Sequence, residues 1–208
     1  MGRRELLTDD ERRLLFGIPV DEASLARHYT LLADDIELLL AKRGARNALG
    51  AAVQIGLLRH PGFSLGSSND AVPEALVSYL ASQLNVPAQA FRQYAIRAQT
   101  RQDHTNELAA ALGLRLISRG DLHSLMRHAT EAAATTDKGA IIVAATLRGI
   151  RADRFVLPST DTIERLGFAG RARARKFATD TLIAALSPEQ LTSLDALLVN
   201  DAISPIAA

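Results

Sequence analysis

The 208-residue chain contains no cysteine. Zinc fingers, disulfide frameworks and thiol nucleophiles are therefore excluded, and the absence suits a cytosolic protein. Aromatic residues make up only 4% of the chain, too few to grip single-stranded nucleic acid by base stacking. Long apolar runs are lacking as well. The most apolar stretch, Ala140 to Leu147, falls far short of the ~20 residues a membrane span requires. No long apolar stretch follows Met1-Gly2-Arg3-Arg4-Glu5, so this segment does not read as a secretory signal. No Gly-rich phosphate loop, His-Glu-x-x-His helix or nucleophile elbow is present. The histidines are scattered, and His123 and His128 fall on different faces of a helix. No catalytic centre, metal or cofactor is expected, and Asp34-Asp35-Ile36-Glu37 reads as the solvated face of a helix.

What is present is enough apolar material, 48% of residues, to bury a core. The net charge is +1, so no global field points to a polyanion, but basic residues cluster locally. Lys42, Arg43, Arg46 and Arg59 fall in a stretch without acids. A second basic stretch runs from Arg148 to Lys176. Lysine occurs only at 42, 138 and 176, so nearly all of the 24 basic residues are arginine. Its planar fork suits phosphates and guanine edges, although a GC-rich genome gives the same bias.

Leu and Ala recur at three- and four-residue spacings almost throughout, which predicts an all-α chain. A capping box at Thr8-Asp9-Asp10-Glu11 opens a helix through Phe16. Further helices are predicted from Asp21 to His28, Ala33 to Arg43, Ala45 to Leu58, Pro73 to Leu84, Pro87 to Tyr94, Gln99 to Leu112, Arg119 to Ala134 and Lys138 to Asp153. A longer one follows from Ser159 to Leu186, and a last one from Pro188 to Leu198; the tail from Ile203 to Ala208 reads as frayed. The loop Pro61 to Asp70 marks the first boundary. Ala23, Arg27, Tyr29, Leu31 and Ala33 reappear as Ala88, Arg92, Tyr94, Ile96 and Ala98, a faint echo of a duplicated unit.

Three places carry candidate chemistry. After Gly44, the residues Arg43, Arg46, Asn47, Gly50 and Gln54 fall within one helical arc of about 100°. Guanidinium and amide groups read guanine and adenine in the major groove, and Gly50 would admit a close backbone; an ordinary polar face with Gly50 packed on another helix stays open. Arg97, Thr100, Arg101 and His104 share a second face suited to phosphates, or to water alone. In the third, a helix ends in Arg148, Arg151 and Arg154, a short apolar turn follows, and a new helix starts with Ser159, Thr160, Thr162 and Arg165. That is the anatomy of a helix-turn-helix, though helix capping also accounts for the hydroxyls.

The stretch from Lys42-Arg43-Gly44-Ala45-Arg46-Asn47-Ala48-Leu49-Gly50 to Leu57-Leu58-Arg59-His60-Pro61-Gly62 resembles the N-terminal region of the Tn-three family transposases, the replicative enzymes of class II transposons. Arg3-Arg4-Glu5-Leu6-Leu7, Leu25 to Leu31, Gln99-Thr100-Arg101, Thr136-Asp137-Lys138-Gly139 and Leu157-Pro158-Ser159-Thr160 follow in the same order. Gly167-Phe168-Ala169-Gly170 departs from the pattern and predicts a softer helix. The resemblance implies tandem small helical, helix-turn-helix-like DNA-binding units, here 1–66 and 67–153, then 154–208 as a long helix and linker. It implies sequence-specific grip on duplex DNA at the terminal inverted repeats, a cytoplasmic, nucleoid-associated location and no membrane partner. Other transposase subunits are a second class of partner. Catalytic carboxylates and magnesium belong, in that family, to a C-terminal domain that nothing here matches. A helical scaffold that assembles or blocks transposase subunits is the alternative.

Overall fold

Between Ala48 and Leu58 the chain offers one polar side chain, Gln54, among Ala, Gly, Val, Ile and Leu. A helix that is apolar all round is buried all round. In the computed structural model, which describes residues 6–67, 71–94 and 98–201, this segment lies within the central helix α4 (Ala45–Arg59), and every residue from Ala48 to Leu58 is buried. The shorter α1 (Asp9–Phe16), α2 (Glu22–Tyr29) and α3 (Ala33–Leu40) precede it, and α5 (Glu74–Leu84), α6 (Phe91–Tyr94) and α7 (Ala98–Ala111) follow. α6 is led by a 3₁₀ turn, Ala88–Ala90. Then come α8 (Leu122–Thr135), α9 (Gly139–Ala152), the 26-residue α10 (Thr160–Ala185) and α11 (Pro188–Asp201). The expected all-α class holds. The expected features at Arg3-Arg4-Glu5, Ser68 to Asp70, Arg97 and the Ile203–Ala208 tail lie outside the described residues.

Local chemistry explains the boundaries. Thr8 accepts from the Glu11 amide while the Glu11 carboxylate accepts from the Thr8 amide, closing the capping box. Asp21 caps α2 and Ser159 caps α10. Asn85, left-handed at φ 53°, ends α5.

The apolar side chains form two clusters. The first gathers α2 to α5 and α7 around α4, with Leu39, Leu49, Val53, Leu76, Leu80 and Leu108 at its centre. The expected boundary at 66/67 runs through this cluster, because α4 and α5 pack on each other. The second joins Leu6, Leu7 and Phe16 from the start of the chain to α8, α9 and α10, through Leu125, Val143, Leu147 and Ile163.

An extended strap links the clusters. Phe155 and Leu157 are buried in the second and Val156 in the first, as the two-residue alternation of extended backbone requires. The Val156 amide donates to the Arg115 carbonyl (2.9 Å) and the Leu157 amide to the Gly62 carbonyl (2.9 Å). Among the described residues the isolated bridges Phe63–Leu157 and Arg115–Phe155 represent the β-type pairing. This corrects the helix-turn-helix expected here. Seven residues, 153–159, separate α9 from α10, and they are held from both sides, whereas that motif uses a turn of three to four.

Two glycines seat neighbours where any side chain would collide. A Cβ on Gly50 would stand 2.1 Å from the Tyr94 ring. One on Gly170 would stand 2.6 Å from the backbone of Ala129, where α10 crosses α8. The expected soft stretch at Gly167 to Gly170 is therefore a packed helix, with Gly167 buried against Leu6 and Val143 of α9 and Gly170 against α8. The sequence echo has a physical counterpart: Tyr29 lies against Gly56 and Tyr94 against Gly50, so both tyrosines seat on glycines of α4. The surrounding helices differ, since α2 is an unbroken helix and its counterpart is a 3₁₀ turn with one turn of α.

Candidate functional site

The first turn of α4 stands out of the core while the rest is sunk into it. Arg43, Gly44, Ala45 and Arg46 are exposed, and Asn47 is half-buried. Neither the Arg43 nor the Arg46 guanidinium has an ion-pair or hydrogen-bond partner among the described residues. The neighbouring Lys42 is already bound to Glu107 on α7. Asn47 donates its amide to the Arg43 carbonyl (2.9 Å), which fixes the turn and uses one of its two donor hydrogens.

Gln54 corrects the sequence expectation. Its side chain is fully enclosed. Nε2 donates to the Tyr94 hydroxyl (2.5 Å) and to the Arg101 carbonyl (3.0 Å), and Oε1 accepts from Thr105 (2.5 Å). It holds α4 to α6 and α7 and cannot reach a base edge. Gly50 is likewise closed over by Tyr94, the arrangement left open as the alternative above. The arc drawn around α4 mixed an exposed turn with buried ones.

On α7, Thr100, Arg101 and His104 are half-buried. His104 Nδ1 shares a hydrogen bond with the Tyr94 hydroxyl (2.9 Å), and the two rings stack at 5.6 Å. Burial, then the Lys42 charge, lowers its pKa below the ordinary imidazole value, so the neutral ring serves the interior network. Packing of α6 and α7 on α4 brings the first two expected faces to one side of the molecule.

The third expected face lies in the second cluster and is largely engaged within the chain. Arg151 Nη2 donates to the Pro61 carbonyl (2.6 Å). Ser159 accepts from the Thr162 amide (3.4 Å) and pairs with its hydroxyl (2.9 Å). Arg165, though exposed, folds back onto Thr162 Oγ1 (3.1 Å) and the Asp161 carbonyl (3.3 Å). Thr160 is half-buried in the first turn of α10. Capping accounts for these hydroxyls. Asp35 also departs from expectation: it is buried, accepts from the Leu32 amide (2.8 Å) and holds Arg59 through both oxygens (2.5 and 2.6 Å).

The structure adds residues that periodicity did not single out. An open cleft of about 690 Å³ separates the start of α4 from the 3₁₀ turn and α6, with Arg43 and Arg46 on one wall and Gln89 and Gln93 on the other. Both glutamines and the adjoining Arg92 are exposed. Among the described residues, no carboxylate lines the cleft. In the sequence, Gln89 and Gln93 are simply two polar residues four positions apart in the short Pro87-to-Tyr94 segment. Only the fold places them across from the α4 arginines.

A family model described as "Domain of unknown function (DUF4158)" matches residues 6–169. The chain is similar to the transposase for transposon Tn501 of Pseudomonas aeruginosa, with 34% identity over 206 residues, covering 99% of this chain and 21% of that protein. It is 33% identical over 198 residues to the transposase for transposon Tn21 of Escherichia coli, covering 95% of this chain and 20% of that one. The transposase for transposon Tn1546 of Enterococcus faecium is 26% identical over 197 residues, with 95% and 20% covered. The chain spans about a fifth of the length of the curated relatives it matches.

Proposed function

This chain belongs to the DUF4158 family and is homologous over nearly its whole length to Tn-three family transposases, and from that premise we propose that it is the non-catalytic part that binds duplex DNA at the terminal inverted repeats of a transposon. One observation carries the assignment: among the described residues, the Arg43 and Arg46 side chains stand exposed and unpaired beside a cleft lined by no acid. Arg12, Lys42, Arg171, Arg175 and Lys176 pair with carboxylates, whereas Arg43 and Arg46, like the exposed Arg92 beside Gln93, do not among the described residues. Cations left free on one face attract a polyanion and release its counterions. Arg101 and Thr100 on α7 extend the same side; Arg151, Ser159, Thr162 and Arg165 contribute less, because their polar groups already have partners within the chain.

The test is a mobility shift of the 208-residue chain on a duplex carrying the terminal repeat of its element, beside a scrambled duplex of equal length. Preferential retention of the repeat is expected, and equal retention of both overturns the assignment. Incubation with magnesium should leave the DNA uncut.

A second role, as a contact for other transposase parts or subunits, is favoured by the far end of the molecule. Phe177, Leu182 and Ile183 on α10 and Leu194 and Leu197 on α11 are exposed apolar side chains. Sedimentation of the chain with those residues made polar tests it.

A further inference from the structure

Resting on the DNA-binding assignment, we propose that Gln89 and Gln93 are specificity-determining residues that read adenine edges in the major groove, while Arg43 and Arg46 across the cleft hold the sugar–phosphate backbone. Both glutamines are exposed, and neither side-chain amide has a hydrogen-bond partner among the described residues. Each offers a donor and an acceptor side by side, the pattern that matches adenine N6 and N7. They are four positions apart on consecutive turns, the 3₁₀ turn and α6, so both project into the same cleft. That segment is pinned from below, because Tyr94 is buried against Gly50 and bonded to Gln54 and His104. A rigid mount is what side-chain readout needs.

The two walls differ in charge, and that makes their roles separable. The guanidinium wall acts on any duplex and does so through salt-dependent counterion release. The amide wall is neutral, so its contribution is independent of salt and depends on sequence. Amide contacts to phosphate oxygens would instead add affinity for every duplex alike.

The experiment is fluorescence anisotropy of the full chain with the terminal-repeat duplex and with the scrambled duplex, each across a salt series. For Q89A/Q93A the preference for the repeat should fall about tenfold or more, with binding to the scrambled duplex and the salt slope unchanged. For R43A/R46A both duplexes should be lost together, with a log–log slope shallower by about 2. A repeat duplex built with 7-deazaadenine should reproduce the glutamine loss in the wild-type chain. Equal weakening of both duplexes by Q89A/Q93A, or no change in preference, overturns the proposal. Failure of the wild-type chain to prefer the repeat overturns the underlying DNA assignment instead. All four side chains are exposed, and circular dichroism of each variant confirms the fold.

Discussion

Gln54→Ala separates two accounts of α4 by the quantity it changes. The side chain is fully enclosed and makes three hydrogen bonds, to Tyr94, Arg101 and Thr105. Tyr94 keeps His104, and Thr105 keeps the Arg101 carbonyl, so the variant leaves no partner wholly orphaned. Each lost bond then costs about 0.5–1 kcal/mol, at the low end of the usual range. The vacated volume in a close-packed helix interface adds about 1 kcal/mol. The sum is about 3 kcal/mol, and with a urea slope of about 2 kcal/mol per molar the unfolding midpoint falls by about 1.5 M. The chain has no tryptophan, so far-UV circular dichroism is the natural readout. An exposed base-reading glutamine would behave in the opposite way, with stability changed by less than about 0.5 kcal/mol and DNA discrimination lost. That outcome would refute the burial argument.

Gly50→Ala forces a Cβ to within 2.1 Å of the Tyr94 ring and should destabilise the chain by about 1–3 kcal/mol in the same assay; an unchanged midpoint would mean the ring moves freely. Arg59→Ala leaves the buried Asp35 carboxylate with the Leu32 amide alone, a loss of about 2–3 kcal/mol because Arg59 is itself partly solvated. The pKa of His60 is pushed down from 6.5 to about 4, first by burial and then by His28 and Arg151. The unfolded chain takes up that proton more readily, so the contribution is complete above pH 6.5 and drains away as the pH falls toward about 4. His60→Phe keeps a ring stacked on His28, 4.0 Å away, and should flatten the stability profile in that window; identical profiles would exclude His60 as the cause. On duplex DNA, Arg43→Ala alone should reduce the salt slope by about 1, and an unaltered slope would remove Arg43 from the contact surface.

The helices were legible because their signals are local: caps at Thr8, Asp21 and Ser159, prolines at 73, 87 and 188, and leucines at helical spacing. The site was less so. Helical angle places Arg43, Arg46 and Gln54 on one side, but depth along the axis decides exposure, and α4 passes from solvent to core within one turn. A clue was present, since Gln54 is the single polar residue between Ala48 and Leu58, the signature of a helix enclosed on every side. The strap was hidden for a related reason. Phe155-Val156-Leu157 reads as a turn in one dimension, and only the positions of Gly62 and Arg115, both distant in sequence, make it an extended segment with partners. Gln89 and Gln93 gain interest from Arg43 and Arg46, which no spacing rule connects to them. Asp35 looked like part of an acidic surface because its partner, Arg59, lies on another helix.

Because neighbouring side chains of that strap are shared out between the two halves, neither half can melt while the other stays dressed. Freeing Val156 tugs Phe155 and Leu157 from their seats, and the reverse holds equally. Three residues thus act as lacing, and the molecule should come apart in one step, with the Val156 and Leu157 amides among the last to exchange their hydrogens.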